Sequence, residues 1–169
     1  MTDAEPRNDQ RVLGILDALG RQGRTLAVAE SCTGGGLGAA LTTVPGSSNV
    51  FLGGVIAYSN SVKIGLLGVS PAVLETQGAV SRDAAAAMAI GVRNATGADW
   101  GIAVTGIAGP GGGNPDRPVG TVWIGASGPG QQAAQCERYL FSGGRGEIRS
   151  SSIHAALDLL SRAVEGPDD

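Results

Sequence analysis

The chain predicts an α/β fold, a three-layer α/β/α sandwich around a mixed β-sheet. Short apolar runs of buried-strand type alternate with helix-period segments along residues 8–104. Two further strand-like runs then follow each other with no helix between them, which pairs them antiparallel and makes the sheet mixed. A length of 169 residues suffices for one core of this kind. No linker or internal repeat divides 1–169, so the whole chain reads as one domain, with 1–7 disordered.

Each element has its own signal. Asn8 or Asp9 caps a helix whose apolar face is Val12, Ile15, Leu16 and Leu19, and Gly23 ends it. The run 25–29 is a strand that empties into Glu30-Ser31-Cys32-Thr33-Gly34-Gly35-Gly36, and 37–44 continues as helix up to Pro45. Strand, glycine turn and helix open a βαβ unit. Residues 50–57 form a second strand, broken by a bulge at Gly53-Gly54. Short helices follow around 62–67 and, started by Pro71, over 71–77. Ser81 caps a long helix, 82–96, with Ala84, Ala85, Met88 and Val92 inward and Gly97 terminating it. Strand 100–104 leads into the glycine-rich loop 106–113. Strands 119–126 and 133–140 are joined by a turn at 128–130. The last helix, 145–164, turns Ile153, Ala156, Leu157, Leu160 and Val164 to one side.

Composition excludes several functions. Net charge is −3 without a basic block, and only two Trp, two Tyr and two Phe are present. The chain therefore offers neither an electrostatic footprint nor stacking platforms for nucleic acid. No run approaches the roughly 20 apolar residues of a membrane span, and the polar start MTDAEPRNDQ is not a signal peptide. Cys32 and Cys136 lack metal-ligand spacing and are too few for a disulfide scaffold, although one bridge between them is left open. These features predict a reduced, cytoplasmic protein without membrane or nucleic-acid partners.

One histidine and one lysine are present, and their scarcity narrows the chemistry. Multi-histidine metal sites are excluded, so no metal site is expected. His154 lies off the apolar stripe, one turn before Asp158, and reads as half of a solvated pair rather than a catalytic base. Ser31 lies between a strand and a helix, where a nucleophile is exposed and helix-start N–H groups can receive an oxyanion or phosphate. It can equally be a helix cap. Lys63, close in sequence to Tyr58, is either a surface cation or a base with a pKa lowered by burial, a role no arginine can fill. Cys32 supplies, with Glu30 and Lys63, the residue types of a Glu-Lys-Cys amidase, but it reads rather as a small buried thiol. Alternation along the strand sends it and Ser31 to opposite faces. The loop 106–113 lacks the Lys-Ser/Thr of a phosphate loop and precedes a strand, so it is either turn structure or a backbone cradle.

Several segments in one order resemble the CinA C-terminal domain family: AESCTGG (29–35), VPGSS (44–48), FLGGVIAYSN (51–60) with Lys63, GVSPAVLETQGAVS (68–81), AVTGIAGPGGG (103–113) and RPVGTVW (117–123). The resemblance covers roughly 25–163. It implies an α/β/α fold and a metal-free and cofactor-free hydrolysis of the carboxamide of nicotinamide mononucleotide to nicotinic acid mononucleotide and ammonia. Carried over by motif, Ser31 is the nucleophile, Lys63 the base and Tyr58 an assistant. Thr105, Gly106 and Gly109 contact substrate, as do Thr33, Gly34 and Gly35. Phe141-Ser142-Gly143-Gly144-Arg145 stands where the family has Phe-x-Gly-Asp-Arg. Arg145 remains to hold the nucleotide phosphate, and Gly144 replaces the acid that would orient it.

The resemblance further implies a stand-alone form acting on a small-molecule nucleotide, with a symmetric homodimer as the default assembly. In the expected mechanism Lys63 takes the Ser31 proton, Tyr58 relays protons or holds Lys63, and N–H groups near Gly34–Gly36 stabilise the oxyanion. Two alternatives remain: a catalytically silent module that binds pyridine nucleotides or serves competence or DNA damage, and an amidase of the same mechanism with another carboxamide.

Overall fold

Helix α1 (Glu5–Arg21) leads into strand β1 (Leu26–Glu30), helix α2 (Gly36–Leu41), a single 3-10 turn and strand β2 (Phe51–Ile56). Helices α3 (Asn60–Leu67), α4 (Pro71–Thr76) and α5 (Arg82–Thr96) precede β3 (Trp100–Gly106). Strands β4 (Thr121–Ser127) and β5 (Gln135–Leu140) and helix α6 (Arg145–Glu165) complete the order in this computed structural model, which describes residues 5–166. The sheet runs β2-β1-β3-β4-β5. The first three strands are parallel and the last two antiparallel to their neighbours, so the predicted mixed sheet forms.

Side-chain size divides the two faces. On one, Leu26, Val28, Ile102, Val104, Val122 and Ile124 pack against α1, α2 and α6. On the other, β1 and β3 present Ala27, Ala29 and Ala103 to Met88, Ala89 and Val92 of α5. A Cβ at Gly101 would strike the carbonyl of Ala89, so glycine lets α5 lie close against the strand. A bulge is present, but at Leu52 rather than at Gly53-Gly54: Leu26 pairs with Phe51 and Ala27 with Gly53, so Leu52 is the extra residue and both glycines stay in register. Ser81 caps α5 by accepting from Ala84 N, and Gly97 ends it at φ 76.

Three further expectations change, and one left open is decided. Helix α1 begins at Glu5, which places Pro6 in its first turn, so residues 5–7 are helical and neither Asn8 nor Asp9 is the cap. Residues 1–4 of the expected disordered segment lie outside the described residues. Helix α2 stops at Leu41, because the Thr42 and Thr43 hydroxyls bond back to carbonyls of the last turn. Asp158 pairs with Arg11 at 2.8 Å rather than with His154. Both cysteines are free, so no bridge joins them. Among the described residues no helix is long and apolar enough to cross a membrane.

Candidate active site

The end of β1 sets the site. Glu30 and Cys32 pack toward α2 and α6 while Ser31 turns toward α3, but the expectation that Ser31 and Cys32 stay apart does not hold: both lie past the last residue of β1, where the strand period no longer applies, and both line one cavity. Helix α3 starts at its Ser59 cap, which accepts from Val62 N, and this carries Lys63 back under the end of β1. Lys63 is 1% exposed and Ser31 8%. Lys63 Nζ lies 3.2 Å from Ser31 Oγ, 2.7 Å from the Ala57 carbonyl and 3.4 Å from the Tyr58 carbonyl. Among the described residues it forms no ion pair. Burial without a carboxylate partner penalises the ammonium and holds its pKa below the ordinary lysine value. A neutral amine has two hydrogens and one lone pair. Here the two carbonyls can take the hydrogens, and the lone pair is left for the Ser31 hydroxyl.

A cavity of about 290 Å3 opens over this pair, at the carboxyl ends of the parallel strands β1 and β3. Its walls include Tyr58, Asn60, Thr105, Gly106, Gly109 and Arg145 with Ser31, Cys32 and Lys63. The structure thus brings Ser31, Lys63, Tyr58, Thr105, Gly106, Gly109 and Arg145 together. Thr33, Gly34 and Gly35 stay outside the lining, on the α2 and α6 side of the turn.

The α2 start cannot serve as the expected oxyanion receiver. The Glu30 carboxylate accepts from Gly35 N at 3.0 Å, Leu37 N at 3.0 Å and Gly38 N at 2.8 Å. Gly34 N and Gly36 N donate to Ser31 O and Thr33 O. An acid from the same chain has filled the anion site that a helix start offers. Tyr58 also differs from expectation. Its carbonyl, not its hydroxyl, meets Lys63. The side chain is 61% exposed, and its hydroxyl accepts from Arg145 Nη2 at 3.0 Å. Arg145 Nη1 donates to the Gly109 carbonyl at 2.7 Å, which ties the start of α6 to the glycine loop. Gly144, in place of the family acid, is the α6 cap; its N–H donates to Glu147 at 2.7 Å, so the helix start is still closed by a carboxylate.

Thr105 is buried and donates to Ala79 O at 2.7 Å, which ties the segment between α4 and α5 to the end of β3. Burial pushes the Cys32 thiol up to about 11, which leaves it protonated and unreactive near neutral pH. Sequence reasoning missed the role of Glu30, which it weighed only as part of a Glu-Lys-Cys set, and missed Arg149 altogether. Glu30 is a fully buried acid at a strand end, and only the run of glycines after it hints at amides to bind. Arg149 donates to the Cys32 and Thr33 carbonyls at 3.1 and 3.0 Å from α6, a contact between residues 116 and 117 positions apart that leaves no local signal.

These features define an α/β/α protein with a buried serine–lysine pair at the floor of a glycine-walled cavity. The family model for the CinA C-terminal domain matches residues 9–164. A CinA-like protein of Parasynechococcus marenigrum is 57% identical over 150 residues, 89% of this chain and 36% of that protein. Another, of Synechocystis sp., is 52% identical over 161 residues, 94% of this chain and 39% of that protein. The chain thus spans somewhat over a third of the length of these relatives. The solved structure of the competence/damage inducible protein CihA from Agrobacterium tumefaciens matches with a TM-score of 0.91 at 35% identity, over 98% of this chain and 99% of that one. Competence damage-inducible protein A (ComA) from Klebsiella pneumoniae gives 0.89 at 33% identity, over 95% of this chain and 99% of that one. This chain belongs to the CinA C-terminal domain family.

Proposed function

We propose that the protein is an amidohydrolase that converts nicotinamide mononucleotide to nicotinic acid mononucleotide and ammonia by serine–lysine catalysis. The observation that carries this reading is the buried Lys63 Nζ at 3.2 Å from Ser31 Oγ, with two carbonyls and no acid around it. Ser31 Oγ attacks the carboxamide carbon while Lys63 takes its proton. The tetrahedral oxygen anion then collapses, the C–N bond breaks, and the Lys63 ammonium returns the proton to the departing nitrogen, releasing ammonia. Water adds to the Ser31 ester with Lys63 again as base, which frees the acid and restores the hydroxyl.

With the α2 amides held by Glu30, oxyanion donors in this reading come from the glycine wall 106–112. Ile107 is excluded because its N–H donates to Thr121 O at 2.9 Å. Arg145 spends one N–H on Gly109 and one on Tyr58, and the rest of its five remain for a phosphate at the mouth. Incubation of pure protein with nicotinamide mononucleotide, followed by an ammonia assay, tests the proposal. Ammonia release with equal nicotinic acid mononucleotide is expected. Saturable binding without ammonia would make the protein a silent nucleotide-binding module instead.

A further inference from the structure

A second cavity of about 260 Å3 lies beyond the segment 77–81 from the one over Ser31, and the two share Val80 as a wall. Its charge is unusual for a chain of net charge −3. Arg82, Arg117 and Arg138 line it, with Asp116 as the one acid in the lining. Among the described residues none of the three arginines forms an ion pair. Arg82 stands at the first position of α5, where a cation adds to the positive end of the helix dipole and is locally unfavourable.

The arginines sit on an ordered frame. Arg117 lies against Gly78, where a Cβ would strike its guanidinium, and φ at Gly78 is 82°. The turn before it is closed by Asn114, whose Oδ1 accepts from Asp116 N at 3.0 Å and Arg117 N at 2.8 Å. Arg138 Nη2 approaches the Asp116 carbonyl at 3.4 Å. Trp123 is directly opposite Arg138 on the neighbouring strand and offers a half-buried indole in the same lining.

We propose that this cavity is a second ligand site, distinct from the Ser31 cavity, that takes a nucleoside diphosphate. Three guanidiniums less one carboxylate in the lining leave an excess of two positive charges, while Asp83 in the first turn of α5 offsets the positive end of that helix. That excess matches a diphosphate better than a carboxylate or a neutral ligand, and guanidinium forks bind phosphate oxygens in pairs. The indole supplies the flat face on which a nucleobase stacks. The site does not depend on the reaction assigned to Ser31 and Lys63.

The test is titration of ADP, adenosine and inorganic pyrophosphate into the full chain, followed by calorimetry and tryptophan fluorescence. Trp100 is buried in the core near the opposite end of β3, so quenching reports Trp123. Saturable ADP binding with quenching is expected, weaker for pyrophosphate and weakest for adenosine. Arg82→Gln combined with Arg138→Gln should weaken ADP at least about 10-fold, since each lost charged hydrogen bond is worth a sizeable part of the binding. Both side chains are exposed, and an unchanged circular dichroism spectrum shows that the variant is folded. Arg145→Ala should leave ADP affinity within about twofold. The proposal is overturned by absence of ADP binding at millimolar concentration, by pyrophosphate binding as tightly as ADP without quenching, or by loss of binding in Arg145→Ala with the Arg82/Arg138 variant unaffected.

Discussion

Arg145 Nη2 donates to the Tyr58 hydroxyl at 3.0 Å, and this single contact joins the first turn of α6 to the segment leading into α3 across the mouth of the Ser31 cavity. In the proposed reaction the pair serves substrate capture rather than proton transfer, because Lys63 meets only the carbonyl of Tyr58. Arg145→Ala should therefore narrow the preference for the mononucleotide over nicotinamide riboside by about 1.5–3 kcal/mol, the worth of a hydrogen bond to a charged group. Tyr58→Phe removes only the partner that steadies the guanidinium and should cost less. Ratios of kcat/KM for the two substrates decide this, and an unchanged ratio in Arg145→Ala would leave the phosphate to the glycine loop.

The second prediction concerns pH. Burial holds the Lys63 pKa below the ordinary lysine value, and in the proposed reaction the neutral amine is the active form, so kcat/KM should rise with pH along a limb whose midpoint lies below about 10.4. The stability contribution has the matching sign. The unfolded chain keeps the proton up to its ordinary lysine pKa whereas the folded chain loses it earlier, so stability from this group rises with pH between the folded and unfolded values. Below that window the full penalty of a buried charge applies. Lys63→Arg, which cannot give up its proton, should lose at least about 100-fold in rate. A rate that falls across the same range would argue against an amine base.

A third prediction follows from Glu30. Its carboxylate accepts three backbone N–H groups of the α2 start. Glu30→Gln keeps the shape but sets an NH2 group against at least one of those donors, which should cost at least about 2 kcal/mol. Thermal unfolding should then shift down by several degrees. Because Glu30 adjoins Ser31, kcat should fall more than KM rises if the turn that carries the serine loosens. Wild-type stability in the variant would mean that the three contacts contribute little.

Much of this was legible because the relevant signals are local. Ser81 and Gly97 bracket α5 with a side-chain cap and a left-handed glycine, and the Gly53-Gly54 pair points to the bulge of β2 one residue from its place at Leu52. Ser31 and Lys63 stand out by residue type: a hydroxyl at a strand end and the sole lysine of the chain. What was not legible depends on distant partners. The acid Glu30 inside a strand is acceptable only because amides from the next helix surround it, and Arg149 reaches the same turn from near the end of the fold. The expectation of a free helix start failed for the same reason, since its occupant is the residue just before Ser31. The role of the Tyr58 hydroxyl likewise depends on Arg145, 87 positions away.

The proposed serine–lysine chemistry is tested by ammonia release from nicotinamide mononucleotide by Ser31→Ala and Cys32→Ala, each compared with wild type. Both residues line the cavity just past the end of β1, but Lys63 Nζ meets Ser31 Oγ at 3.2 Å, and the Cys32 thiol is raised to about 11 by burial. Ser31→Ala should release no ammonia above background with its fold intact, while Cys32→Ala should keep most of the wild-type rate. An active serine variant beside a dead cysteine variant would contradict that chemistry.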